Sequence, residues 1–220
     1  PNILCQKDKT EDLDMLTLLK RDLKIRYKKP GNVYLGLVHR LDRPVGGVMV
    51  FAKTSKAAAR LSEQIRDKKF LKTYLALVHG QPAEEKSTLV HYLVKDNRTN
   101  RVATVSKDVP GAKEAILDYQ VVSSHKGLSL VEINLHTGRP HQIRVQFASL
   151  GHPLFGDYRY GPKESPKEKR KRADQRKPLG LWSYKISFLH PITKERLHFQ
   201  SLPAMREPWK PFLQDLLNRT

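Results

Sequence analysis

Three charged or titratable residues stand together in the segment His39-Arg40-Leu41-Asp42, which lies between two strongly apolar stretches. A simple turn does not need three such side chains. A carboxylate held at the end of a strand by guanidinium groups can act as a general base or as a nucleophile. The simpler interpretation is that Asp42 caps the loop and Arg40 pairs with it. The local sequence leaves both interpretations open.

A second polar segment, residues 136–144 (HTGRPHQIR), combines a tight, glycine-containing basic turn with the start of a predicted helix. His141 and Arg144 share one face of that helix, away from its apolar stripe. An arginine on such a face is usually solvated. The basic turn before it makes a role in binding an anion a second interpretation.

Aromatic residues occur in two further places that could carry chemistry. Tyr74 follows Lys72-Thr73 inside an apolar run, and an ordinary core tyrosine is the simpler interpretation. The segment 156–161 (GDYRYG) is aromatic, basic and bracketed by glycines. By itself it is typical of a surface loop that can stack on bases.

The elements that must position these residues follow from hydrophobic periodicity and from turn residues. Helices are predicted over residues 13–21, 55–68, 141–150 and 209–217, the second capped by Thr54 or Ser55. Strands are predicted over residues 33–38, 48–53, 70–79, 89–94, 101–106, 114–122, 128–135, 181–189 and 196–201. The helices are inserted singly and no regular βαβ rhythm is present. The pattern therefore predicts an α+β fold with a mixed, largely antiparallel central sheet, in a single domain spanning residues 1–220.

The chain is strongly basic: its 220 residues hold 41 Lys and Arg against 22 Asp and Glu, a formal net charge of +19. Residues 163–178 contribute eight basic and three acidic residues, which leaves the remainder at +14. With 39% hydrophobic residues the chain is too apolar to be a disordered basic tail. The charge indicates a polyanionic partner. The run 163–178 is interpreted as a flexible insertion, either a solubilising surface or an arm that contacts phosphates.

The absence of certain residues and sequence motifs excludes several classes of protein. The single cysteine, Cys5, excludes a disulfide framework and a cysteine-based zinc site. Apolar runs fall short of the roughly 20 residues that span a bilayer. The sequence contains no P-loop, GxGxxG, HExxH or GxSxG motif. We therefore expect a monomeric cytoplasmic protein with no metal, nucleotide cofactor or membrane partner.

Taken together and in order, five segments resemble the RluA-type pseudouridine synthase family. They are His39–Asp42 (HRLD), 47–53 (GVMVFAK), 72–76 (KTYLA), 135–145 (LHTGRPHQIRV) and 151–161 (GHPLFGDYRYG). The resemblance implies a catalytic core with a mixed sheet and no S4-like RNA-binding module. It also implies isomerisation of uridine to pseudouridine in structured RNA, ribosomal or transfer, without a cofactor.

The same resemblance assigns roles to individual residues. Asp42 corresponds to the catalytic aspartate, acting either as nucleophile at C1′ or as base at C2′. Tyr74 corresponds to the residue that packs on the target base and helps to deprotonate C5. Arg144 corresponds to the ion-pair partner that keeps Asp42 charged.

Arg40 corresponds to the residue that fills the space left by the flipped nucleotide, because chemistry on a base inside a stem requires its extrusion. Further RNA contacts are expected from His39, Lys72, Arg139, His141, Gln142 and Tyr160. The chain departs from the family where Val45-Gly46 replace the usual Thr-Ser. The family also has an N-terminal edge strand ahead of Pro1, so we expect a chain trimmed of that strand.

Two other functions compete with the synthase. A non-catalytic RNA-binding or assembly protein would explain the charge alone. A metal-free RNA hydrolase would use His39 or His141 together with Asp42 and would cleave the strand. The presence of Asp42, Tyr74 and Arg144 together favours the synthase.

Overall fold

The computed structural model describes residues 1–8, 10, 12–161 and 177–217. Within these ranges the chain forms four α-helices and ten β-strands. The strand pairings are largely antiparallel, and the predicted α+β fold class is confirmed. The basic run 163–178 lies outside the described residues except for Lys177 and Pro178.

The backbone contacts cluster into two compact units. Unit 1 consists of Pro1–Lys72 and Ser183–Leu202, and unit 2 consists of Thr73–Trp182 and Pro203–Thr220. The expectation of a single domain remains a prediction.

Unit 1 contains two helices and several short strands. Its elements are α1 (Met15–Arg26), β1 (Gly36–Leu37), β2 (Gly46–Gly47), β3 (Phe51–Ala52), α2 (Ser55–Arg66), β9 (Leu181–Leu189, within this unit from Ser183) and β10 (Arg196–Gln200). Strands β1 and β3 pair antiparallel, as do β9 and β10, and β2 pairs with β9. The core of this unit is the apolar cluster Ala52, Leu61, Phe70, Ile186 and Phe188.

Helix α2 begins where the sequence predicts. The Thr54 side chain accepts a hydrogen bond from the Ala57 N–H at 3.1 Å and so caps the helix. Leu61 provides the buried apolar face. Gln64, on the same helix, donates to the Leu189 carbonyl and accepts from the Leu189 N–H, each at 2.8 Å. One buried amide thus fastens the helix to the end of β9.

Unit 2 contains a five-stranded antiparallel arrangement and two helices. Its elements are β4 (Leu71–His79, within this unit from Thr73), β5 (Lys86–Asp96), β6 (Arg101–Val105), β7 (Lys113–His125), β8 (Leu128–Leu135), α3 (Gln142–Ser149) and α4 (Lys210–Leu217). The strand order is β4-β8-β7-β5-β6. Val145 of α3 packs in a buried cluster with Leu93, Val102 and Ala115.

The observed strand lengths differ from the predicted ones for a physical reason. β5 and β7 extend beyond the predicted ranges 89–94 and 114–122, because backbone pairing continues through polar residues that hydrophobic periodicity does not detect. In contrast, the apolar runs 33–38 and 48–53 contribute only the two-residue pair of β1 and β3. Among the described residues, no helix is long and apolar enough to cross a membrane.

Candidate active site

Asp42 lies in unit 1, in the loop between β1 and β2. It is half-buried, and its carbonyl oxygen accepts a hydrogen bond from the Val45 N–H at 2.8 Å, which closes a tight turn. Arg40, two residues earlier, is exposed. The loop therefore holds its carboxylate residue in a defined turn and presents an arginine to solvent.

His39 bonds to the protein backbone, and its expected RNA contact stays a prediction. Its ring is largely buried, and Nε2 accepts a hydrogen bond from the Val50 N–H at 3.0 Å. Burial, with a smaller contribution from the Lys72 charge, lowers the pKa of His39 to about 4. The ring is therefore neutral at pH 7 and carries its proton on Nδ1, for which the described residues provide no partner. His39 joins the start of the Asp42 loop to the segment before β3.

The N-terminal segment braces the same loop on both sides of Asp42. The Leu41 N–H donates to Cys5 Sγ at 3.4 Å, and the Cys5 thiol donates to the Leu41 carbonyl at 3.3 Å. The Asn2 N–H donates to the Arg43 carbonyl at 2.6 Å. The loop is thus held mainly through its backbone.

Gly47 allows the end of this loop to approach another strand closely. Its φ is +120°, and a Cβ added there would lie 2.2 Å from the Ser183 carbonyl oxygen. The Val48 N–H donates to that same carbonyl at 2.9 Å, and the Ser183 hydroxyl donates to the Val48 carbonyl. Only glycine fits this approach.

Lys72 and Tyr74 both lie on β4, in unit 1 and unit 2 respectively. Lys72 is half-buried, and burial lowers the pKa of its ammonium group. Tyr74 is 6% exposed and pairs with Ile133 of β8 in the antiparallel register. Tyr74 is therefore fixed inside the sheet.

Arg144, in α3 of unit 2, makes a buried two-pronged ion pair. Its Nε and Nη2 donate to Asp157 Oδ2 and Oδ1 at 2.7 and 2.8 Å. The two side chains are 8% and 0% exposed. Paired donors of this kind fix the plane of the guanidinium as well as its position.

The sequence motifs indicate no separate role for Asp157. Burial alone would raise the pKa of Asp157, but the bonds and charge of Arg144 and the N–H groups of Tyr160 and Arg159 outweigh it. The net effect is a lowered pKa. Asp157 does lie in a recognisable segment, residues 156–161, whose aromatic and basic residues are typical of a stacking loop. Local sequence could not indicate that its partner lies 13 residues away.

Tyr160 and His141 meet beside Arg144. The Tyr160 hydroxyl accepts from the Val102 N–H at 3.0 Å and lies 2.6 Å from His141 Nδ1. The Arg144 guanidinium lies 5.2 Å from the centre of the Tyr160 ring. Three of the predicted residues, His141, Arg144 and Tyr160, are thus brought together within unit 2.

Gln142 is bonded within the protein, and its expected RNA contact stays a prediction. It is 3% exposed. Its Oε1 accepts from the Thr137 hydroxyl and the Arg139 N–H, and its Nε2 donates to the Ile116 carbonyl. Because each of these bonds goes to the turn before α3 or to β7, Gln142 fixes that turn.

Arg139 is half-buried and donates from Nε to the Glu114 carbonyl at 2.8 Å. A neighbouring pair that the sequence analysis did not identify joins His136 Nε2 to Asp118 Oδ2 at 2.6 Å, with both side chains about two-fifths exposed. No group of three His, Cys, Asp or Glu residues in the described ranges could hold a metal ion.

Comparison with known proteins shows the family to which this chain belongs. The sequence model of a family described as RNA pseudouridylate synthase matches residues 1–149. The chain belongs to this family.

Curated relatives carry names that agree with this assignment. One is ribosomal large subunit pseudouridine synthase C of Buchnera aphidicola, 36% identical over 174 residues, covering 79% of this chain and 54% of the relative. Another is an uncharacterized RNA pseudouridine synthase of Bacillus subtilis, 38% identical over 160 residues, covering 72% of this chain and 49% of the relative. The chain therefore spans about half the length of these relatives.

Solved structures support the same fold. Human RNA Pseudouridylate Synthase Domain Containing 4 superposes with a TM-score of 0.73 at 23% identity, covering 98% of this chain and 85% of that chain. Human RNA Pseudouridylate Synthase Domain Containing 1 superposes with a TM-score of 0.66, also at 23% identity, covering 86% and 75%.

Proposed function

We propose that this chain isomerises uridine to pseudouridine in RNA. The observation that carries the proposal is the family match over residues 1–149, which includes Asp42, Tyr74 and Arg144. The net charge of +19 suits an RNA substrate. The names of the curated relatives favour ribosomal RNA, with transfer RNA as the other class. The proposed location is the cytoplasm. We propose further that the chain acts as a monomer and without a cofactor.

The reaction breaks the N1–C1′ bond of uridine, turns the uracil and joins C1′ to C5. The C5 proton leaves, N1 takes up a proton, and no atoms or electrons are gained or lost. The proposal gives Asp42 the central role. Its carboxylate either attacks C1′ or removes the C2′ proton, and either route requires the ionised form.

Tyr74 is proposed to pack against the target base and to help remove the C5 proton once C5 is joined to C1′. Its burial within β4 supports this role, because a ring fixed in a sheet presents the same surface to each substrate.

Arg144 is proposed as the cation that keeps the Asp42 carboxylate ionised. Its own support is the bidentate bond to Asp157, which fixes the guanidinium in a buried position. Asp157 is then a positioning residue in this proposal, because it acts through Arg144.

Arg40 is proposed to fill the space left by the flipped nucleotide, and its exposure on the Asp42 loop is consistent with that. Lys72, Arg139, His141 and Tyr160 are proposed as further RNA contacts.

The test uses total RNA from cells in which the gene for this chain has been deleted. The RNA is incubated with the protein, one portion is run on a denaturing gel, and the rest is digested to nucleosides, which are separated by chromatography. We expect the pseudouridine content to rise with an equal loss of uridine, and the gel to show intact strands. A matched incubation with Asp42→Asn protein should yield no product.

Two results would contradict the proposal. Cleaved strands without pseudouridine would indicate a hydrolase. Tight RNA binding without any product from the wild-type protein would indicate a binding or assembly protein.

A further inference from the structure

A basic cleft lies beside α1 in unit 1 and includes none of the residues discussed above for the reaction. Its volume is about 350 Å³. It is lined by Lys20, Arg21, Lys24, Asn32 and Val33, here called the α1 cleft. Three of these five residues are cations, and none is acidic.

The three cations of the α1 cleft carry charge that the described residues do not neutralise. Within those residues, Lys20, Arg21 and Lys24 form no side-chain ion pair or hydrogen bond. The one acidic residue inside α1, Asp22, bonds to Arg26 at 2.9 Å instead. The cleft is therefore a concentrated patch of positive charge.

The stability of the helix does not explain this arrangement. Lys20 and Lys24 are four residues apart, and like charges at that spacing destabilise a helix by about 0.2–0.5 kcal/mol. Lys24 and Arg26 lie in the last turn, where the helix dipole favours cations. That effect does not reach Lys20 or Arg21, so the stability of α1 gives no reason for their position.

Exposed tyrosines continue the basic surface. Tyr27 follows α1 directly and is 53% exposed, and Lys53 Nζ lies 4.7 Å from the centre of its ring. Tyr34, two residues after the lining residue Asn32, is 48% exposed. Cations interleaved with exposed aromatic rings are typical of surfaces that bind nucleic acids.

We propose that the α1 cleft binds the sugar–phosphate backbone of the RNA. This anchoring site contains none of the residues assigned to the uridine. This proposal rests on the proposed function, because it assumes an RNA substrate. A lipid surface fits less well, since the apolar residues exposed near α1, Leu13 and Ile25, stand singly rather than as one face.

The test measures binding of a fluorescein-labelled RNA stem-loop by anisotropy over a series of salt concentrations. The cleft variant is Lys20→Gln/Arg21→Gln/Lys24→Gln, since Gln has nearly the helix propensity of Lys and Arg. The matched control is Lys56→Gln/Arg66→Gln/Lys107→Gln, which removes the same charge from exposed positions outside the cleft. Circular dichroism checks that both variants are folded.

We expect the slope of log affinity against log salt concentration to fall in magnitude by about 2 in the cleft variant, because each phosphate contact contributes about 0.7–0.9. The control should change the slope by less than half as much. The cleft variant should keep its single-turnover rate of isomerisation at saturating RNA.

Equal slopes for the cleft variant and the control would overturn the anchoring site while leaving the proposed function intact. The anchoring site would also be overturned if the cleft variant lost binding to polyglutamate while its RNA slope stayed unchanged. That result would indicate an acidic peptide as the ligand. Absence of any RNA modification by the wild-type protein would instead contradict the proposed function.

Discussion

Arg144 in unit 2 and His39 in unit 1 are both buried titratable side chains, and the two units bury them in opposite ways. Arg144 keeps its charge and is held by a fully buried carboxylate. His39 is neutral at pH 7, because burial lowers its pKa to about 4, and its Nε2 accepts a hydrogen bond from a backbone N–H. A buried group must be either paired or neutral.

The two regions are therefore stabilised by different interactions. The α3 region of unit 2 depends on one charged pair, so its stability should be sensitive to the loss of a single carboxylate. The Asp42 loop of unit 1 depends on a protonation state and on close backbone approach, so it should be sensitive to pH and to added volume.

The largest effect is expected for Asp157→Asn. Removing one partner of a buried ion pair costs roughly 3–5 kcal/mol, because the other charge stays in a poorly solvated place. The measurement is urea unfolding at pH 7. Asp108→Asn, at an exposed position in the same unit, is the control. A loss as small as that of the control would mean that the Arg144–Asp157 pair does not hold unit 2 together.

The second prediction concerns pH. The folded-state pKa of His39, about 4, is below its ordinary value of 6.5, so the unfolded chain binds the proton more readily. The stabilisation from His39 is therefore complete above pH 6.5 and is lost as the pH falls towards 4, by about 3 kcal/mol in total.

The measurement for this prediction is the difference in unfolding free energy between wild type and His39→Gln over that range. This difference should shrink as the pH falls, since the variant has no proton to take up. His198→Gln, at an exposed position, is the control. A difference for His39→Gln that does not change with pH would refute the neutral, buried state of the His39 ring.

Gly47→Ala should destabilise the protein by at least about 2 kcal/mol, since it combines a left-handed backbone conformation with a steric clash. The new Cβ would lie 2.2 Å from the Ser183 carbonyl oxygen. Gly31→Ala, where a Cβ would meet nothing within 4 Å, is the control and should change stability little. Equal thermal unfolding of the two variants would show that β2 does not depend on this approach.

The smallest effect is expected for Asp118→Asn. Its pair with His136 is short, at 2.6 Å, but both side chains are about two-fifths exposed. Exposed pairs contribute about 0–1 kcal/mol. Urea unfolding of this variant beside Asp157→Asn would isolate the effect of burial. Comparable losses of stability in the two variants would contradict the difference between a buried and an exposed ion pair.

Much of the fold could be predicted because local signals agreed with tertiary packing. Thr54 as a helix cap and Leu61 in the apolar stripe predict α2 within two residues of its observed end. The alternation of residues 128–135 predicts β8 with its exact bounds. The short extent of β1 and β3 could not be predicted, since the apolar runs 33–38 and 48–53 continue beyond the two residues that pair in each strand.

The candidate site was harder to predict. Sequence motifs identified Arg144, His141 and Tyr160, which the structure brings together. The motifs do not show that His39 Nε2 and Gln142 Nε2 bond to backbone groups, because those partners lie elsewhere in the chain, and the RNA contacts of both residues stay predictions. Asp157 was missed because its importance depends on a partner in another element.

The most direct test of the central claim uses RNA labelled with tritium at C5 of uracil. Joining C1′ to C5 requires the C5 proton to leave, so the wild-type protein should release tritium to water. Asp42→Asn should release none, and Asp108→Asn should release it at the wild-type rate. Release by a folded Asp42→Asn protein at the wild-type rate would contradict the role of Asp42, and no release by a wild-type protein that binds the RNA would contradict the proposed reaction.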